Sequence, residues 1–254
     1  MSDAIDIAEY LSRGGRLTSP GNAPPRYRAE LMKIMATFVD SELAGAAGFA
    51  DIINDAPGIA GRIAAARIVA EKTAHAGRVL QIMGEFGADT ARYARHHPWA
   101  ERLPRDAAPG AERAVRDMRL PVFNYPLRGW VDAVVLNLVM GRAVMVQMRD
   151  LAKVSYQPLA EAFRDIAPVE AAHAEQAVKG LREALAGGSA EAEVRQSLAY
   201  WTPRVALSFG AAAPEREAGL GKLGLRHMSA QAMREVWRQE TADILAEFAL
   251  DLPG

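Results

Sequence analysis

Apolar residues recur every three or four positions along most of this chain, and no run alternates cleanly with period two between turn residues. That pattern predicts helices without strands. From Tyr27 onward, Leu31, Ile34, Met35, Phe38, Leu43 and Ala46 fall near one face of a long first helix that Pro57-Gly58 breaks. The run from Ile59 to Gly87 has the Ala, Ile and Leu density of a helix buried on more than one side, with Gly87 as its C-terminal cap. A third helix is expected from Leu127 to about Val154, and a fourth from about Pro158 to Ala186, kinked at Pro168 and stopped by Gly187-Gly188. A fifth begins at Ser189 and is interrupted by Pro203, and a last one spans 229–250.

Between these helices lie weaker signals. Residues 14–26 are rich in Gly and Pro, so 1–26 is expected to be an irregular lead-in to a single helical domain over 27–254. Residues 88–126 read as a long excursion along the bundle, with one short helix around GAERAVRDM and with His96 and His97 on a solvated loop. Residues 210–224 read as a Gly/Ala-rich linker. The most apolar run, 131–148, is interrupted by Asp132, Asn137, Arg142 and Gln147, which predicts a buried bundle helix and no membrane span.

Composition narrows the chemistry. The 254 residues are half hydrophobic, enough for a sizeable core. A net charge of -1 without any basic block argues against nucleic acid. The chain has no cysteine, so a metal would be held by His, Asp and Glu, the ligands that suit non-haem iron or manganese. That composition fits the cytoplasm, and the polar, acidic start of the chain lacks the apolar core of a secretory signal.

The fourth helix carries Glu170 and His173, a Glu-x-x-His pair whose side chains leave one helix face. Four-helix carboxylate metalloproteins hold two metals with such a pair on each of two helices and one carboxylate on each of the others. Glu42 lies 30 before position 72 and 33 before His75, and Asp132 lies 38 before Glu170 and 41 before His173, so each half offers one carboxylate and then a window ending in His. The repeat has one mismatch: the residue three before His75 is Lys72. Asp132 has a plainer reading as a cap in a first helical turn.

FNYPLRGWVDAVVLNLVMGRA followed by VEAAHAEQ, together with DSELAG around Glu42, KTAHAG around His75 and the C-terminal MREVWRQETADILAEFALDLP, resembles the catalytic, di-iron A subunit of the phenylacetyl-CoA epoxidase family. The resemblance covers most of the chain and implies an all-α, ferritin-like four-helix bundle with additional C-terminal helices. It implies metal ligands at Glu42, His75, Asp132, Glu170 and His173, with Lys72 where the family places a bridging Glu. It further implies iron without a covalent cofactor, an aryl-CoA thioester substrate, oxygen and electrons as co-substrates, and two kinds of partner: a paralogous bundle subunit and a flavin/iron-sulfur reductase. Arg128, Arg142, Arg149 and Lys153 are candidates for the CoA phosphates.

Lys72 changes what such a site can hold. Uncompensated buried charge costs several kcal/mol per ion, so an arrangement near neutrality is preferred. The expectation is therefore at most one tightly held metal, at Asp132, Glu170 and His173, with Lys72 paired to Glu42 and Glu170. Glu71, four before His75, is a rescue ligand only if the helix rotates by about 100°. Two functions remain open: an oxygenase component with a modified site, and a metal-free or single-metal structural paralogue that pairs with another bundle.

Overall fold

The computed structural model describes residues 7–254, the side chain of His96 excepted. The described residues form nine α-helices: α1 (Ile7–Ser12), α2 (Pro25–Asp51), α3 (Gly58–Glu85), α4 (Thr90–His96), α5 (Gly129–Leu151), α6 (Gln157–Ala186), α7 (Glu191–Ala206), α8 (Pro214–Lys222) and α9 (Ala230–Ala246). Among the described residues no strand forms, and an isolated bridge joins Leu17 to Tyr156. The architecture is an all-α, ferritin-like bundle.

Four long helices make the bundle, with α2 against α3, α5 against α6, and α3 against α6. One apolar cluster, around Leu31, Met35, Val79, Leu159 and Phe163, fills the space between α2, α3 and α6. A second, around Val139, Leu198, Trp201 and Trp237, lies where α7 and α9 cover the far side of α5. Helix α5 therefore meets protein on several sides. It is long and apolar enough to cross a membrane, but 67% of its most apolar stretch is buried in the bundle.

Glycines permit the closest helix approaches. A Cβ on Gly141 of α5 would stand 3.2 Å from the Cβ and 3.3 Å from the Cα of Ala174 on α6. Helix α3 ends as its sequence suggests: Gly87 takes φ +88°, Gly87 N–H donates to Gly84 O, and Ala88 N–H to Met83 O.

Four segments differ from the sequence expectation. The part of the N-terminal lead-in from Ile7 forms the short helix α1, whose Leu11 joins the core; residues 1–6 lie outside the described residues. The short helix of the 88–126 excursion is α4, capped by Asp89 accepting from Arg92 N–H; GAERAVRDM is not helical. There Arg113 and Arg119 turn their guanidinium groups onto backbone carbonyls, which opposes a regular helix. His97 is half-buried, stacked on Tyr93 with centroids 3.8 Å apart, so it is not on a solvated loop. The expected linker forms α8, begun by Pro214 with Glu215 and Glu217 in its first turn, an arrangement favoured at helix starts. Pro203, expected to interrupt the fifth helix, lies inside continuous α7.

The tight crossing at Gly141 yields a prediction. Gly141→Val should lower unfolding stability by about 1–3 kcal/mol through overpacking against Ala174; urea denaturation with an unchanged midpoint would show that α5 and α6 do not meet there.

A candidate metal centre closed by a lysine

At mid-height the bundle carries four charged side chains where a uniform apolar core would be cheapest. Glu42 comes from α2, Lys72 and His75 from α3, and Glu170 from α6; all are less than 10% exposed. Helical spacing brings them in, since Lys72 and His75 are three apart and share a face. Glu42 Oε2, Glu170 Oε1 and His75 Nδ1 form the Glu-His-Glu group that could hold a metal, with one ligand atom from each within 4.8 Å of the others.

Lys72 already uses those oxygens. Its Nζ donates to Glu42 Oε1 at 3.0 Å, and to Glu170 Oε1 at 3.0 Å and Oε2 at 3.1 Å. His75 Nδ1 lies 3.1 Å from both Glu42 Oε2 and Glu170 Oε1. Burial alone would push the His75 pKa down, but hydrogen bonds and charge from the two carboxylates reverse this and raise it to about 9. Lys72 is likewise driven above its ordinary value against burial, by the charges of Glu170 and Glu42. Burial would raise Glu170, yet the neighbouring Lys72 charge holds it well below the usual carboxylate range. At neutral pH two carboxylates face two cations, and the cluster is neutral with no metal.

This donor set does not fit a pair of iron ions. A divalent ion would have to displace an ammonium bonded to three oxygens and remove the proton from His75, because a protonated imidazole nitrogen has no lone pair to give. The resulting site would also offer two carboxylates, Glu42 and Glu170, where a di-iron bundle uses four.

The remaining candidates are spread out. Glu71 reaches His173, with Oε2 2.6 Å from Nε2, so the pair sits beside the cluster without joining it. His173 Nδ1 is 3.5 Å from Glu170 Oε1 and makes no hydrogen bond. Asp132 is not brought to Glu170 and His173. Its carboxylate accepts from Arg105 Nη1 at 2.9 Å and Nη2 at 2.7 Å, Ser197 Oγ at 2.9 Å, Trp201 Nε1 at 3.0 Å and Arg128 N–H at 2.9 Å. With all these donors taken up, it acts as a cap and counter-ion at the start of α5, so the expected Asp132–Glu170–His173 metal site does not form. Sequence reasoning missed Arg105, whose guanidinium also lies 3.9 Å over the Tyr200 ring. The available signal was the loop's composition: between 88 and 126 there are seven arginines and no lysine.

Two cavities flank the cluster. One, of about 570 Å³, is lined by Ile68, Glu71, Trp130, Val169 and His173; the other, of about 510 Å³, by Phe38, Glu42, Phe123, Met140 and Met148. The four cations expected for CoA phosphates line neither. Arg142 pairs with Glu175 and Arg149 with Glu240, while Arg128 and Lys153 are exposed.

Among known proteins, residues 16–254 match the family described as "Phenylacetic acid catabolic protein". No curated protein matches the chain.

The electrostatics give two expected outcomes. Because the His75 pKa is raised from 6.5 to about 9, its stabilisation is complete below pH 6.5 and fades as pH rises through 9. Denaturant titrations between pH 6 and 9.5 should show that decline in the native chain and a flatter profile in His75→Gln; equal slopes would mean that His75 is not charged in the core. Asp132→Asn should cost on the order of 3 kcal/mol by leaving Arg105 without its counter-ion; a loss below about 0.5 kcal/mol, the level of an ordinary surface change, would contradict this role.

Proposed function

The chain belongs to the phenylacetic acid catabolic protein family, and from that premise we propose that it is a helical-bundle component of an aryl-CoA monooxygenase whose core is closed by a buried ion cluster in place of metal. In this reading it has a structural or partner-binding role beside a paralogous bundle subunit, which supplies the iron and receives electrons from a flavin/iron-sulfur reductase. The observation that carries it is the Lys72 ammonium, bonded to Glu42 and to both oxygens of Glu170.

Iron and the internal cations compete for the same carboxylate oxygens. An iron site must offer free carboxylate oxygens and a neutral imidazole; this core offers oxygens already paired and an imidazole held protonated. Replacing a metal by internal cations keeps the carboxylates neutralised and the helices at bundle spacing without a supply of iron. What such a core gives up is redox chemistry. What it retains is a rigid ferritin-like surface for another subunit to use.

A second reading has its own observation. Glu42, His75 and Glu170 still converge, and Glu71 stands beside His173. An oxygenase component would use these residues if Lys72 withdrew, with iron supplying oxygen activation and the adjoining cavities receiving the aryl thioester.

Lys72→Glu separates the two. The native chain should retain no ferrous iron after anaerobic incubation and desalting, whereas Lys72→Glu should retain at least one equivalent and Lys72→Met none. Iron bound equally by the native chain and by Lys72→Glu would favour the oxygenase reading and overturn ours.

A further inference from the structure

The bundle leaves one end of the groove between α3 and α6 open. The two helices meet through Arg78–Asp165, His75–Glu170 and Glu71–His173, so they run antiparallel. Beyond Glu71 they part around the cavity of about 570 Å³, whose floor is Ala133, Val134 and Asn137 of α5. Its rim is exposed on both walls, at Ile63 and Arg67 of α3 and at Gln176, Lys179 and Glu183 of α6.

The α3 wall carries an apolar ridge. Ile59 is 78% exposed and Ile63 54%, and Ile59 is the most exposed large apolar side chain among the described residues. Four positions apart on one helix, the two share a face. A single exposed apolar residue is ordinary, but a pair continuous with an apolar groove marks a contact surface.

The rim charges are sorted by wall. Arg67, on α3, makes no ion pair or hydrogen bond among the described residues. Glu183, on α6, meets Lys179 of its own helix at 3.8 Å with both side chains 64% exposed, a pair that contributes little. Counting Glu71, the groove's Lys, Arg and Glu side chains balance two against two, so apposing two such faces brings no net repulsion.

The spacing makes this face complementary to itself. At 3.6 residues per turn, Arg67 stands about one turn and Glu183 about three turns beyond the Glu71–His173 contact. Midway between those levels lie Ala64 and Gly180, small residues on the two walls that admit a close approach. A two-fold axis crossing the groove there exchanges the level of Arg67 with that of Glu183.

We infer that the groove is the interface of a homodimer. A second copy of this chain docks with Ile59 and Ile63 of each copy against the groove of the other, and with Arg67 of each copy paired with Glu183 of the other. Such an isologous contact makes every pairing twice and closes on itself, so it covers the isoleucines of both copies. The interface does not depend on how the core is closed, and its failure would leave the metal-free reading of the core standing.

Sedimentation equilibrium of the full chain over a hundredfold range of concentration tests the interface, and a reversible dimer is expected. Because each pair occurs twice and each reversal apposes like charges, Arg67→Glu and Glu183→Arg should each raise the dissociation constant at least tenfold. The double variant Arg67→Glu/Glu183→Arg should return it to within about threefold of the native value. Ile63→Asp, at an exposed position, should leave the chain folded by circular dichroism but monomeric, whereas Val115→Asp, equally exposed in the segment between α4 and α5, should leave the dimer unchanged. A chain that stays monomeric at every concentration would overturn the inference and leave the groove to another occupant. So would a dimer that ignores the single charge reversals or is not restored by the double variant.

Discussion

The structure depends on a single ammonium group buried between two carboxylates. Lys72 Nζ touches Glu42 and Glu170, and without it the bundle would enclose two anions against one protonated imidazole. Removing one partner from a buried charge set costs about 3–5 kcal/mol, whereas the intact set contributes little net stability over an apolar core. The cluster therefore matters less as a source of stability than as a constraint. It fixes α2, α3 and α6 at the spacing that suits its hydrogen bonds, and it leaves no free oxygen on the atoms a metal would need.

The same principle, internal cations for internal anions, recurs around the core. Asp132 is neutralised by Arg105 at the head of α5, and Asp117 by Arg119 in the loop. The first pairing ties the connecting segment to α5, while the second braces the segment itself, which Met118 N–H and Leu120 N–H fasten to Asp40 and Ser41 of α2, so the long excursion after α4 is not a passive linker. The loop's arginines hold carbonyls of Pro98, Trp99, Glu101 and Phe123, which gives the backbone its partners without a regular helix.

Much of this was legible in the sequence. The four bundle helices follow from apolar spacing and from Gly and Pro at their ends, and Lys72 stands out because it lies three before His75, where the other half has Glu170 three before His173. What could not be read was which acids meet. Asp132 occupies the motif position of a ligand, but its partners Arg105, Ser197 and Trp201 come from segments whose placement is tertiary and leaves no periodic trace. Glu71 stands one residue, about 100° on an ideal helix, away from Lys72, yet its side chain is long enough to reach His173 from the neighbouring face. The short helices α4 and α8 fell below the length at which periodicity speaks, although Asp89 before α4 and Pro214 at the start of α8 were signals of caps that the sequence did carry.

The claim that an internal cation stands in place of metal is tested most directly by the iron content of the native chain after anaerobic incubation with ferrous iron and removal of loosely held metal. No iron should be retained, with the chain folded and helical by circular dichroism. Retention of one or two equivalents per chain would contradict it, because Lys72 would then have left the carboxylates to which it is bonded here.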